Sequence, residues 1–308
     1  MAKSANKAGL RILFVGALAL PLFAAPADGA ENASAPDFSG LWIHPTLPGF
    51  EPPLSGPGPV RNLTRSATTG ASNFNRLVGD YNNPILKPDA AAIVKQHGDL
   101  SLAGIGYPTP SGQCWPGGVP YMFWNLEMQM IQRSNEITML YLIDHQVRHV
   151  RMNTPHPARV TPTLSGDSVA HYEGDTLVID TVAIKPGRFA MIDMFGTPHS
   201  PALHVVERYR LIPNEAMKQA AARDEKENQR LPDFTNDVGI AVDRDYTGMG
   251  LQMEFTVEDP GVFTTPWTST ITYRRGATEW REHVCAENMH EYYNNKDADV
   301  PTANRPDF

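Results

Sequence analysis

The chain has 308 residues, with 34 acidic against 26 basic side chains, and its formal net charge at pH 7 is −8. An acidic chain without a run of basic residues is a poor match for nucleic acid or for an anionic membrane surface. This length suits one large all-β domain or two smaller ones.

The first thirty residues have the pattern of a signal peptide. Basic residues precede an apolar run at 12–25, which is shorter than the roughly 20 residues that span a bilayer and contains Pro21. Small residues follow, as they do at signal-peptidase sites. We therefore predict cleavage of residues 1–30, a periplasmic or secreted protein, and no stable membrane insertion.

The first half of the mature chain is rich in loops. A short strand is predicted at 41–43, and the segment 45–69 is dominated by Pro, Gly and Ser, where proline removes backbone donors. Residues 88–96 have a helical pattern, and Asp89 can cap the first turn. Residues 104–120 return to loop.

Only two cysteines are present, Cys114 and Cys285. In an exported protein such a pair is expected to form one disulfide, valued at roughly 5 kcal/mol by the chain-entropy model for a loop of this length. Two free thiols, or a nucleophilic cysteine, are the alternatives.

From Tyr121 onward the sequence changes to extended apolar or alternating runs. These predict strands at 126–132, 137–143, 147–152, 168–172, 176–183, 202–212, 251–257, 268–274 and 279–285.

Sequential strands with short connections predict an all-β fold, an antiparallel meander that closes as a lipocalin-like barrel, because closure removes edge strands. A sandwich is the alternative. We predict one domain at 31–293, a helical insertion at 214–250 whose helix covers 215–230, and a flexible tail at 294–308.

The clearest local signal is a β-hairpin at 167–183. Glu173-Gly174-Asp175 has turn chemistry, since glycine supplies positive φ, and the β-branched residues that follow favour a strand. The hairpin carries His171 and Asp180. Paired across it, they would form a dyad in which the acid fixes the imidazole tautomer; a hydrogen-bonded structural cluster is the alternative.

The segment His171–Thr181, which reads HYEGDTLVIDT, resembles the hallmark of a family of exported bacterial β-proteins. Matching pieces, including Thr197-Pro198-His199 and Leu203–Arg208, extend the resemblance over roughly residues 120–290. Separately, Gly40-Leu41-Trp42 is similar to the Gly-x-Trp motif of lipocalin-like barrels. The first resemblance implies export and a β fold, and the second implies a barrel; neither implies a reaction.

Glu207 is the most interesting single acid. It shares a strand face with Leu203, Val205 and Tyr209, so it is a buried carboxylate if that face is the interior. Burial and a nearby cation shift a carboxyl pKa in opposite directions, so the group can be tuned for proton transfer. A structural ion pair with Arg148 or Arg151 is the alternative.

Metal chemistry is less well supported. His145 and His149 have an i, i+4 spacing, but they span a turn and a strand, where such residues do not converge as they do on a helix. We predict no metal and no cofactor.

The residues together predict a protein that binds a small, apolar or aromatic organic molecule. The first hypothesis is a cofactor-free lyase, hydratase or isomerase; the second is a carrier or sensor, and the third a metal-assisted hydrolase. The predicted catalytic residues are Glu207, His171, Asp180 and His199. The predicted ligand contacts are His156, Asp193, His204, Arg148 and Trp267.

Overall fold

The structure is a computed structural model that describes residues 1, 35–44, 49–67, 70, 72–73, 76–187, 189–227 and 246–276. Apart from Met1, these belong to one unit that begins at Ala35. The predicted signal peptide, the strand at 279–285, Cys285 and the predicted tail lie outside the described residues. No helix in the described ranges is long and apolar enough to cross a membrane.

The described residues contain nine strands that form a closed barrel in chain order. The prediction of an all-β barrel is confirmed, and each strand predicted within the described ranges is present. The strands are β1 (Gly40–Ile43), β2 (Glu127–Gln132), β3 (Glu136–Tyr141), β4 (Gln146–Met152), β5 (Asp167–Glu173), β6 (Thr176–Val182), β7 (His204–Ile212), β8 (Gly250–Glu258) and β9 (Trp267–Arg275).

The barrel differs from the predicted antiparallel meander at one seam. Strands β4 and β5 are parallel, with Val150 opposite Ser168, whereas the other neighbours are antiparallel. A closed ring with an odd number of strands cannot alternate direction all the way round, so at least one parallel pair is required. The crossover that this seam needs, residues 153–166, runs from one end of the barrel to the other.

The barrel closes where β1 meets β9, at Trp42 opposite Arg275. The Arg275 guanidinium stacks on the Trp42 ring at 4.0 Å from its centroid and donates to the carbonyl of Ser39. Gly40 has φ 125°, and a Cβ there would lie 1.8 Å from Arg275 Nη1. The Gly-x-Trp spacing therefore makes room for the arginine that joins the first strand to the last.

The described residues include two α-helices, of which the second contacts β8 and β9. The helix α1 (Pro88–Leu102) confirms the prediction at 88–96 and continues past it, with Val94 fully buried. The helix α2 (Asn214–Glu227) confirms the helical insertion in its described part. Arg223 of α2 pairs with the buried carboxylate of Glu51, so the insertion contacts the long N-terminal loop.

The barrel interior is filled by alternate residues of the strands, as a pleated wall requires. On β8 the predicted face of Leu251, Met253, Phe255 and Val257 is buried. The end at which β2, β4, β5, β7 and β9 begin contains five packed aromatic rings, which we call the aromatic cluster: Phe50, Phe123, Phe255, Phe263 and Trp267.

Candidate functional site

A buried ion pair lies inside the barrel beside the aromatic cluster. Arg148 of β4 donates to both carboxylate oxygens of Glu207 of β7, at 2.6 and 3.0 Å. Neither side chain is more than 1% exposed. The two strands do not neighbour each other, so the pair spans the interior. The strand face that carries Glu207 is the interior one, so Glu207 is a buried carboxylate, and its partner is one of the two arginines named for a structural ion pair.

Neighbouring hydroxyls complete this group, which we call the inner cluster. Arg148 also donates to Ser168 at 3.1 Å and to Thr181 at 2.7 Å, and Tyr209 donates to Glu207 at 2.9 Å. The guanidinium lies 5.9 Å from the centroid of the Phe123 ring. A buried charge pair with this many hydrogen bonds is well compensated.

Burial and the ion pair keep Arg148 charged and the interior tyrosines neutral at pH 7. Burial alone lowers the pKa of Arg148, but the attraction of the Glu207 carboxylate outweighs it and raises that pKa above its ordinary value. Burial raises the pKa of Tyr141 to about 12 and also raises the pKa values of Tyr209 and Tyr273. The geometry therefore favours a structural ion pair over a proton-transferring carboxylate at Glu207.

A second polar group lies on the outer face of the same strands, and we call it the outer chain. Arg151 holds Asp167 through two hydrogen bonds of 2.7 and 3.0 Å. His156, from the crossover 153–166, contacts Asp167 through Nδ1 at 2.6 Å and Asp180 through Nε2 at 3.0 Å. His204 Nε2 reaches the same Asp180 oxygen at 3.1 Å. Basic and acidic side chains thus alternate across β4, β5, β6 and β7.

The outer chain is half-buried and its charges are coupled. The hydrogen bond from His204 lowers the pKa of Asp180, and the same bond raises the pKa of His204. The paired hydrogen bonds from Arg151 lower the pKa of Asp167. Glu258 of β8 lies 3.8 Å from His204 Nδ1, which extends the line of charge by one strand.

Three predicted site residues therefore come together: His156, Asp180 and His204. The expected dyad between His171 and Asp180 is not formed. The hairpin register places His171 opposite Val178 and Asp180 opposite Val169, so the two side chains are separated along the sheet. His171 instead contacts the exposed Glu173 at 3.2 Å.

The predicted loop residues lie apart from this chain and bind their own backbone. Asp193 accepts hydrogen bonds from the Phe195 and Thr197 amides and from the Thr197 hydroxyl, although burial raises its pKa to about 6. His199 contacts the carbonyl of Ser200 at 3.2 Å, and burial lowers its pKa. Both have the contacts of residues that stabilise a loop.

Trp267 lies in the aromatic cluster and is 1% exposed. Its indole nitrogen is buried and has no hydrogen-bond partner among the described residues. Cys114 lies in the loop after a short 3-10 turn, Ser111–Gln113, and the structure describes no free cysteine. Because Cys285 is outside the described ranges, the disulfide stays a prediction.

Several members of both groups were missed by sequence reasoning. Tyr209 lies two residues after Glu207 on the same strand face, and that spacing alone could have paired them. Ser168 and Thr181 lie opposite each other in the hairpin. Asp167 was given no role, although an outward-facing acid at the start of β5 is well placed to contact the crossover that leads into that strand.

The described residues contain no group of three or more His, Cys, Asp or Glu side chains arranged to hold a metal ion. The chain matches no protein-family model, and comparisons with curated proteins and with solved structures gave no match either.

Proposed function

We propose that this barrel binds a small, apolar or aromatic organic molecule at its aromatic cluster, as an exported carrier or sensor. The observation that supports the proposal is the buried indole N–H of Trp267, which has no hydrogen-bond partner within the described part of the chain. A buried donor without an acceptor costs about 1–3 kcal/mol. An acceptor atom on a bound ligand would recover that free energy.

The surroundings of this donor define the ligand class. Phe255 and Phe263 have ring centroids 5.8 and 5.9 Å from that of Trp267, both edge-to-face. Phe50 comes from the loop that precedes α1 and not from the barrel wall. Its ring is therefore the one that an aromatic ligand can replace with the least change to the wall. A neutral aromatic ring bearing a carbonyl or ether oxygen fits these contacts.

The test compares two probes of similar shape by isothermal titration calorimetry. Acetophenone carries an acceptor oxygen, and ethylbenzene does not. Wild-type protein should bind acetophenone about tenfold more tightly, as one hydrogen bond of about 1.4 kcal/mol predicts. Trp267→Phe keeps an aromatic ring and removes the donor, so it should bind the two probes equally.

A matched variant controls for general loosening of the core. Phe263→Leu alters a neighbouring ring and leaves the indole donor in place, so the preference for acetophenone should persist. If wild type binds neither probe, or if Trp267→Phe keeps the tenfold preference, the proposal is wrong.

Cofactor-free acid–base catalysis is the second candidate function. It is favoured by the convergence of His156, Asp180 and His204, because a carboxylate that orients an imidazole is a common proton-transfer unit. Here Asp180 contacts two imidazoles, and its side chain is 38% exposed, so a substrate can reach it.

This candidate is tested on any molecule that copurifies with, or binds, the wild-type protein. Incubation followed by mass spectrometry should show a product that differs by water or by isomerisation. Asp180→Asn should abolish its formation while binding persists. Product formed equally by wild type and by Asp180→Asn would remove the outer chain from catalysis.

A further inference from the structure

His156 lies between two carboxylates. Asp167 and Asp180 face its two ring nitrogens at 2.6 and 3.0 Å. Ionised carboxylates only accept hydrogen bonds, so both contacts are satisfied only if both ring nitrogens carry protons. Both aspartates have lowered pKa values, Asp167 chiefly through Arg151 and Asp180 chiefly through His204. A doubly protonated imidazole is therefore the form that satisfies both contacts.

The crossover 153–166 that carries His156 has only a few other attachments near this point. The Asn153 amide donates to the Ala170 carbonyl at 2.7 Å, and the Thr163 amide donates to the Ala183 carbonyl at 3.2 Å. Between these two amides, His156 is the side chain that bridges the crossover to both strands of the β5–β6 hairpin. It spans the outer face of the sheet beside the parallel seam.

The charges of the outer chain balance only when its two histidines are protonated. Arg151 on β4, Asp167 on β5, Asp180 on β6, His204 on β7 and Glu258 on β8 complete the set. With both histidines protonated, three cations meet three anions. With both neutral, one arginine faces three carboxylates.

We propose that the outer chain is a proton-dependent clasp: the His156 imidazolium holds the crossover 153–166 against β5 and β6, and its deprotonation releases the crossover. Loss of one ring proton turns a donor into a lone pair that faces a carboxylate oxygen. One of the two hydrogen bonds is then replaced by repulsion. The clasp is independent of the ligand site proposed at the aromatic cluster, and it can hold or fail without it.

The experiment is hydrogen–deuterium exchange of the full mature chain at about pH 5 and about pH 8, on either side of the ordinary imidazole pKa of about 6.5. Two variants supply the charged and the neutral reference for the wild type. His156→Arg keeps a permanent cation with several donors, and His156→Gln is neutral at both pH values. Rates are compared at one pH at a time, so the pH dependence of intrinsic exchange cancels.

The amides of Asn153 and Thr163 report on the clasp. At about pH 5 they should exchange about tenfold more slowly in wild type than in His156→Gln. At about pH 8 this ratio should fall towards one, while His156→Arg should stay protected at both pH values. A wild-type to Gln ratio that does not change with pH, or that equals one throughout, overturns the proposal.

A second measurement applies if a variant fails to fold. Long-range proton–nitrogen NMR of wild type reports directly whether each ring nitrogen is protonated. At about pH 6 both nitrogens of His156 should carry protons. A neutral tautomer at that pH overturns the proposal without any substitution.

Discussion

The inner cluster and the outer chain use the same four strands, β4 to β7, and lie on opposite faces of them. On β6, Thr181 faces inward and Asp180 outward; on β7, Glu207 faces inward and His204 outward. Both groups contain an arginine from β4 bonded through two nitrogens to a carboxylate. The inner pair is sealed from water, whereas the outer residues are partly exposed.

This difference separates charge that supports the fold from charge that can change. Inside, each ion has a fixed partner and no water, so either partner alone is very unfavourable. Outside, water screens the same kind of contact. Two of the three basic side chains there are histidines, His156 and His204, whose charge changes with pH more readily than that of arginine. Of these two groups, the outer chain is therefore the one in which proton-linked behaviour is expected.

The largest expected effect comes from breaking the inner pair. Glu207→Gln leaves Arg148 buried without a counter-charge, and we expect the free energy of unfolding to fall by about 3–5 kcal/mol. Urea denaturation followed by circular dichroism measures it. The double variant Arg148→Met with Glu207→Leu removes both charges and should recover most of the loss. A loss under about 1 kcal/mol in Glu207→Gln would contradict the structural role of the pair.

A smaller loss is expected when one hydroxyl is removed from the inner cluster. Tyr209→Phe deletes a hydrogen bond to an ionised carboxylate, which contributes about 1.5–3 kcal/mol. Tyr172→Phe is the matched control, because the Tyr172 hydroxyl is buried without a partner among the described residues and its removal should not destabilise the protein. Equal losses in the two variants, by the same urea assay, would show that the hydrogen bond is unimportant.

The Asp180–His204 pair of the outer chain should contribute less to the free energy of unfolding, and only over a range of pH. The pKa of Asp180 is lowered, so its contribution is present above the ordinary carboxyl pKa and is lost as pH falls through the lowered value. The pKa of His204 is raised, so its contribution is present below the ordinary imidazole pKa and is lost as pH rises through the raised value.

Asp180→Asn should therefore destabilise most at about pH 5, where both groups are charged. The side chains are more than a third exposed, so we expect a loss of at most about 1 kcal/mol. Urea denaturation at about pH 3, 5 and 9 checks this. An equal loss at the three pH values would mean that the charges do not contribute.

The smallest effect is expected at His171. Its partner Glu173 is exposed and also contacts Arg208 at 2.6 Å, so His171→Ala should leave the melting temperature unchanged within error. A fall of several degrees in a thermal scan would show that an exposed ion pair can stabilise this protein measurably.

Much of the fold could be predicted from local patterns in the sequence. Alternation placed Glu207 on one strand face with Val205 and Tyr209, and that face is the interior. The dyad that it suggested between His171 and Asp180 is not formed, because the hairpin register separates the two residues. The Gly40-Leu41-Trp42 motif indicated a barrel, and the structure gives the reason, since Arg275 stacks on Trp42 beside the space that Gly40 leaves.

The remaining features depend on contacts between distant segments. Arg148 and Glu207 meet across the barrel. Local strand patterns do not show the diameter of the barrel or which strands face each other across it. His156 reaches Asp180 because the crossover 153–166 passes over the outer face of the sheet. An odd number of strands requires a parallel pair, but it does not determine where that pair lies. The sequence predicted that loop as a place for binding groups but not which strands it covers.

Closure through β1 and β9 also has a consequence during synthesis. The first strand leaves the ribosome long before its last partner exists, so a nascent chain exposes an unpaired β1 edge until Arg275 has been added. Such edges invite pairing with other chains, and contacts between distant parts of a chain form slowly. Truncation before β9 should therefore produce an aggregating chain instead of a smaller barrel.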